Sequence, residues 1–194
     1  MLSVVIATKD SEQSLLPTLA ALIPGATASV VREVIIADGG SKDATNLVAD
    51  SAGCRFITSD KPIGTRLRDA AAMARSTWLL FLQPGVVPDI SWTTDSVRFM
   101  EETELTGATD QRAAAFRQTS SATVQSFPAE LMALLRTSFG AKPRADQGLL
   151  INNRLYTSIG GHRVDVADPE SDLIDRLGRK RIVLLRSGIF KANT

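Results

Sequence analysis

The sequence predicts an α/β domain layered around a mostly parallel sheet, on three observations. Strand-like apolar runs alternate with helix-like stretches along the chain. Residues 2–6 and 34–37 are continuous aliphatic runs, the kind buried on both faces of a parallel sheet. Each run flows into a polar turn, and ligands of such sheets bind beyond the carboxyl ends of the strands. The second turn reads Asp38-Gly39-Gly40-Ser41-Lys42-Asp43. Its glycines let a ligand approach the backbone, Ser41 is positioned to cap the following helix, and that helix's first amides favour an anion.

The elements follow in order. After strand 2–6, Leu15, Leu16, Leu19 and Leu22 form one apolar helical stripe, and Pro17 fits its first turn if Ser14 is the N-cap, or kinks it if the helix already starts at Ser11. Ser41 then opens a helix with Ala44, Leu47, Val48 and Ala52 inward, stopped at Gly53. Residues 55–58 read as a short strand, 64–75 as an Ala-rich helix, and 78–82 as the most apolar and therefore central strand, ending at Pro84-Gly85. Asp89 caps a helix to about Glu104, with Trp92 and Met100 as packing residues; a strand at 113–117 follows. The Ser/Thr-rich stretch 119–126 reads as a loop, Pro128 as the start of a short helix, and 140–144 as a second loop. Asp146-Gln147-Gly148, an apolar run at 149–151, a short helix ending at Gly160-Gly161, a helix over 170–177 stopped by Gly178, and a strand at 182–185 close the chain.

Composition narrows the function classes. A chain of 194 residues, 44% hydrophobic, suits a single domain over 1–194 with a full core. With 22 Lys+Arg against 21 Asp+Glu, there is no sequence-wide electrostatic footprint for nucleic acid. Cys54, the one cysteine, cannot form an internal disulfide and reads as a buried small hydrophobe. No segment approaches the roughly 20 apolar residues of a membrane span, and no basic and apolar leader follows Met1. The expectation is a cytoplasmic protein, with peripheral association at the inner membrane face as the variant some relatives adopt.

The ordered set Ser3-Val4-Val5-Ile6-Ala7-Thr8, Glu33-Val34-Ile35-Ile36-Ala37-Asp38-Gly39-Gly40-Ser41, Trp78-Leu79-Leu80-Phe81-Leu82, Asp146-Gln147-Gly148-Leu149 and Ile159-Gly160-Gly161 resembles a family 2 glycosyltransferase of the GT-A fold. Nearest is the small soluble bacterial subgroup with a DGGS turn and a late DQG. The resemblance implies a nucleotide-binding half over 1–85 and an acceptor-binding half over 86–194. It implies transfer of a sugar from a UDP- or GDP-type donor to a hydroxyl acceptor, saccharide or lipid-linked, with inversion.

Carried over by position, the resemblance puts Thr8, Asp10, Asp38 and Gly39 at the nucleoside, Arg66 and Arg68 at the diphosphate, and Asp146 and Gln147 on the acceptor side. A carboxylate suits base imides and ribose hydroxyls, and guanidinium suits phosphate oxygens. Plainer readings stand beside these: Asp38 and Ser41 as an Asx turn, the arginines as solvated helix residues, Asp146 and Gln147 as turn contacts, and His162 as a surface loop residue rather than a phosphate ligand. Relatives carry a DxD-type turn after the central strand that holds Mg²⁺ or Mn²⁺, but here it reads Gln83-Pro84-Gly85. Hard cations want carboxylate oxygens, so no metal ligands are assigned. Three accounts remain open: neutralisation by Arg66, Arg68 or Lys61, recruitment of a distant acid such as Asp89, or a non-catalytic binding module. In Asp168-Pro169-Glu170-Ser171-Asp172-Leu173, Glu170 falls on the family's base position and Asp172 on the second acidic position. Simple stabilisation of a helix N-terminus by these acids is the alternative. A nucleotidyltransferase on a similar sheet would need a glycine-rich basic signature that Thr8-Lys9-Asp10 lacks.

Overall fold

The computed structural model describes residues 1–119 and 143–192. The early apolar runs become β1 (Leu2–Thr8), β2 (Val31–Asp38), β3 (Arg55–Thr58) and β4 (Trp78–Leu82), all parallel and ordered β3-β2-β1-β4. Helices α1 (Glu12–Thr27), α2 (Thr45–Ser51) and α3 (Ile63–Ala72) connect them. Then come β5 (Val86–Pro88), α4 (Trp92–Leu105), β6 (Ala113–Gln118), β7 (Leu149–Asn152), α5 (Asn153–Ser158), α6 (Pro169–Leu177) and β8 (Ile182–Lys191). The sheet runs on from β4 through β7, β6 and β8 to β5. β7 is antiparallel to both neighbours, β6 and β8 are parallel, and β5 closes the edge antiparallel to β8. The result is the expected mostly parallel α/β architecture, a GT-A fold.

Strand alternation distributes the apolar residues to two cores. Val4, Ile6, Ile36, Leu80 and Leu82 face Leu15, Leu19 and Leu22 of α1 and Trp92, Phe99 and Met100 of α4. Val5, Ile35, Leu79 and Phe81 face Leu67 of α3, Leu155 and Tyr156 of α5, and Leu173, Ile174 and Leu177 of α6. Each such fully buried aliphatic side chain contributes about 1.5–3 kcal/mol. Trp92 is buried and its indole N–H donates to the Ala21 carbonyl at 3.0 Å. It lies so close to Gly25 that a Cβ there would sit 2.6 Å from the ring.

Several local expectations change. α1 starts at Glu12, so Pro17 lies inside it, and its buried stripe is Leu15, Leu19 and Leu22, leaving Leu16 54% exposed. α2 starts only at Thr45 and buries Thr45 and Ala49, not Leu47, which is 63% exposed. The cause is that residues 40–44 are tied to the start of α1, as described below. Leu16, Ile23 and Leu47 consequently line an apolar groove between α1 and α2. Asp89 does not cap α4; Ser91 is the N-cap, and the Asp89 carboxylate accepts from the Ser91 amide and hydroxyl and from the Gly188 amide. That last bond anchors β8, which extends well past the expected 182–185, and β5 is an additional strand it recruits. The helix opened by Pro128 and the loop after Thr119 lie outside the described residues.

Gly64, in the first turn of α3, sets how closely α3 approaches the loop before α6. A Cβ at this position would lie 1.9 Å from the Arg163 carbonyl oxygen and 3.1 Å from the Pro169 ring. Gly64→Ala is expected to cost about 1–3 kcal/mol of stability through this overpacking, measured as a lowered denaturant midpoint at unchanged slope.

Candidate active site

The carboxyl ends of β1 and β2 hold a loop pair that binds itself. Asp38 is 1% exposed, and its carboxylate accepts from the Thr8 hydroxyl at 2.9 Å, the Ser41 hydroxyl, and the Gly40 and Ser41 amides at 2.8 and 2.9 Å. Burial alone would raise its pKa, but these donors, led by Ser41, outweigh burial and hold the carboxyl below its usual range. Asp10 adopts a left-handed backbone (φ 48°); its amide donates to Ser41 and its carboxylate accepts from the Lys42 amide at 2.7 Å. Glu12 and Asp43 accept from the amides of Ala44 and Thr45. The anions expected at the start of α2 are therefore the chain's own carboxylates, and Ser41 serves Asp38 rather than capping the helix.

Arg66 of α3 reaches across both strand ends. Its Nη1 donates to the carbonyls of Thr8, at 3.0 Å, and Ala37, and its Nε to Lys61 at 3.2 Å. Among the described residues Nη2 has no such bond, and it stands beside Gly39, where a Cβ would meet it at 3.0 Å. Burial draws the guanidinium pKa down, and Asp38 opposes the shift. Arg68 is exposed, on the side of α3 that influences Tyr156. Lys61 pairs with Asp69 at the surface, 3.0 Å apart.

At the end of β4, Gln83 donates its side-chain N–H to Glu170 Oε2 at 2.9 Å. Two residues 87 positions apart, the metal-turn substitute and the base candidate, thus form one contact. Pro169 at the first turn of α6 and the Asp168 cap, which accepts from the Ser171 amide at 3.0 Å, fix the helix start that carries Glu170. Burial pushes the Glu170 carboxyl up to about 7; the Gln83 bond opposes the rise and Asp168 adds to it. Glu170 shares a small cavity with Phe81, Leu149, Leu173 and His162. His162 is not a surface residue. It is 1% exposed, lies edge-on to Phe81 with ring centroids 4.7 Å apart, and its Nδ1 meets the Tyr156 hydroxyl at 2.9 Å. Burial, aided by Arg176, lowers its pKa to about 3, so the ring is neutral.

Asp172 points elsewhere. Its carboxylate pairs with Arg176 at 2.7 Å and Arg163 at 3.5 Å, and Arg176 in turn donates to the carbonyls of Ile159 and Gly161. A cleft of about 490 Å³ opens beside Gln83, lined by Arg144, Asp146, Asp168, Ser171 and Lys191 among others. Asp146 is buried and flanked by Arg144 and Lys191, each 3.3 Å away. Gln147 spends its amide on the Arg144 amide and the Phe116 carbonyl. The fold thus brings Gln83 and Asp146 to one cleft, with Glu170 behind it in the small cavity and bonded to Gln83, and Thr8, Asp10, Asp38 and Arg66 to the carboxyl ends of β1 and β2. Lys191 and Arg144 were missed: Lys191 lies beyond the apolar pattern that marks the last strand, and neither falls in a motif.

The donor set does not fit the divalent cation that a family 2 resemblance implies. The Gln83-Pro84-Gly85 turn supplies an amide, and among the described residues no group of three His, Cys, Asp or Glu is arranged to hold a metal. Cys54 is half-buried, and burial raises its thiol to about 11, away from the thiolate form.

The sheet, with its loops and a cleft at the carboxyl ends of β1, β2 and β4, has the GT-A architecture of an α/β domain. The sequence profile of glycosyl transferase family 2 matches residues 3–163, and the chain belongs to that family. The match ends before α6. Among solved structures, glucosyl-3-phosphoglycerate synthase from Mycobacterium tuberculosis, in complex with Mn²⁺, UDP and glucosyl-3-phosphoglycerate, is similar with TM-score 0.67 and 21% identity. That similarity covers 100% of this chain and 72% of the synthase. S. aureus TarS 1–349 in complex with UDP aligns with TM-score 0.70 and 13% identity, over 98% of this chain and 60% of TarS. No curated protein sequence matches the chain significantly. No helix among the described residues is long and apolar enough to cross a membrane.

The raised Glu170 pKa has a signed consequence for stability. The folded state holds this proton more tightly than the unfolded one, so the contribution is fully present below pH about 4.5 and is lost as pH rises through about 7. Glu170→Gln keeps an acceptor for Gln83 and no longer titrates. The variant's stability relative to the parent is expected to gain about 3 kcal/mol between pH 4.5 and 8. His162 titrates in both proteins and cancels in that difference, which denaturant melts across the pH range would measure.

Proposed function

We propose that the domain transfers a sugar from a UDP- or GDP-type donor to a hydroxyl acceptor with inversion, using Glu170 as general base and no bound metal. The observation that carries this reading is the Gln83–Glu170 hydrogen bond, which ties the acid to a residue lining the cleft. Burial raises this carboxyl to about 7, which supports assigning Glu170 as the base. A base is most effective when its pKa lies near the working pH. The UDP held by both structural neighbours supports a uridine donor.

In this reading residues 1–85 bind the nucleotide and 86–194 the acceptor. Asp38 and Thr8 build the nucleoside floor, Asp10 and the Gly39-Gly40 backbone form its rim, and the unbonded Nη2 of Arg66, with Arg68, faces the diphosphate. Asp146 accepts a hydroxyl hydrogen of the acceptor, and Gln147 holds the turn that carries it. The acceptor oxygen bonds to the anomeric carbon as the bond to the diphosphate oxygen breaks. Glu170 takes the hydroxyl proton, and the nucleoside diphosphate leaves with the bonding pair. Asp172, paired with two arginines, positions the 159–163 turn rather than the proton.

The test is donor turnover, by transfer or hydrolysis, with UDP- and GDP-sugars in the presence of a chelator. Turnover is expected to persist under chelation and to rise with pH through about 7. Glu170→Gln should lower it by about 10²–10⁴-fold with nucleotide affinity retained, while Asp172→Asn has a much smaller effect. Nucleotide binding without turnover under every condition would identify a binding module instead, and Mn²⁺-dependent turnover would refute the metal-free assignment.

A further inference from the structure

The amino ends of the parallel strands, opposite the cleft, carry a row of arginines in strand order. Arg55 starts β3, Arg32 lies near the start of β2, Arg75 precedes β4, Arg154 follows β7, Arg112 precedes β6 and Arg181 precedes β8. Because β7 runs antiparallel to its neighbours, its far end meets the near ends of the others, and this brings Arg154 into the line. At the usual strand separation the row is roughly 30 Å long. All six side chains are exposed, and none forms an ion pair with a described carboxylate. Arg179 and Lys180 extend the row beside Arg181. Three acids lie along the same edge: Glu33 accepts from the Ser3 hydroxyl and the Arg75 amide, Glu104 accepts from the Trp78 indole, and Asp110 is exposed near Arg112, so the row keeps an excess of positive charge.

Unpaired cations aligned on one edge repel one another, and a chain of net charge +1 has no general excess that would put them there by chance of composition. Two exposed apolar side chains share the edge. Leu105, at the end of α4, is 87% exposed, and Met73, whose carbonyl accepts from Arg55, is 39% exposed. Guanidinium groups recognise phosphate oxygens, and protruding aliphatic side chains suit a headgroup and acyl boundary more than a polar polymer.

We propose that this edge docks the domain on a membrane surface rich in anionic phospholipid headgroups. With the edge down, the cleft at the far end of β4, about 16 Å away along the strand, opens away from the bilayer. Its acceptors then arrive from solution. This inference stands apart from the catalytic reading and survives or fails on its own.

Sedimentation of the full chain with phosphatidylcholine vesicles, with and without phosphatidylglycerol, at about 0.15 M salt tests it. Binding is expected only to the anionic vesicles. Replacing Arg75, Arg112, Arg154 and Arg181 together by Gln should weaken it more than about tenfold, since each cation near an anionic surface adds to affinity. Leu105→Ser with Met73→Ser should weaken it severalfold, and thermal melts report that both variants fold. Absence of binding to anionic vesicles, or equal binding by parent and arginine variant, overturns the proposal. So does an oligonucleotide that binds more tightly than the vesicles and is indifferent to the Leu105 and Met73 changes, because it would assign the row to nucleic acid.

Discussion

A single hydrogen bond between the amide of Gln83 and the carboxyl of Glu170 joins the end of the central strand to the start of α6. The proposed chemistry depends on it. An aspartate at the position of Gln83 would oppose a second carboxylate a few ångströms away, and the two negative charges would need a cation between them. A neutral amide removes that need and gives Glu170 a partner that tolerates either protonation state. The approach of α6 that makes the contact relies in turn on Gly64, which lets the backbone before α6 lie against α3, and on the Asp172–Arg176 pair that pins the 159–161 turn.

The nucleotide side follows a different economy of charge. Helix N-termini in α/β proteins often present free amides to a ligand's phosphates, yet here Asp38, Asp10, Asp43 and Glu12 occupy the amides of residues 40–42, 44 and 45. The loops are rigidified by their own anions, and a charged acceptor typically makes hydrogen bonds worth about 1.5–3 kcal/mol each. In the proposed reaction, positive charge for a leaving diphosphate comes from guanidinium groups on α3. Arg66 is half committed to strand-end carbonyls and keeps one nitrogen in reserve, whereas Arg68 is exposed. The buried, neutral His162 packs against Phe81 beneath Glu170 and helps to create the apolar surroundings that raise the acid's pKa.

Strands and their order of burial were legible because β1, β2 and β4 have continuous apolar runs that only a doubly covered sheet accommodates. Trp92 and Met100 were legible as packing residues for the same reason. α2 was misplaced because Asp38, Asp10 and Glu12 hold the amides of residues 40–42 and 44 out of the helix; the Asp38 turn is local, but the bonds from Asp10 and Glu12 are tertiary and leave no local signature. Leu16 and Leu47 carry a helical apolar pattern yet face solvent, so periodicity alone misassigned them. His162 sits in a glycine-rich turn that reads as exposed, and only the return of α5 and α6 over β4 buries it. At the site, motif position brought Gln83 and Glu170 forward separately, while their contact spans 87 residues and needed the fold. Asp172 and Glu170 could not be ranked from sequence, since the arginines that claim Asp172 lie in another loop and a turn along α6.

The central claim is that Glu170 is a desolvated acid held by Gln83. Its most direct measurement is an NMR pH titration that follows the Glu170 carboxyl carbon and the Gln83 side-chain amide together. The account requires both signals to move with one midpoint near 7. A carboxyl that titrates at its ordinary value of about 4.5, with the Gln83 amide unmoved, would contradict it.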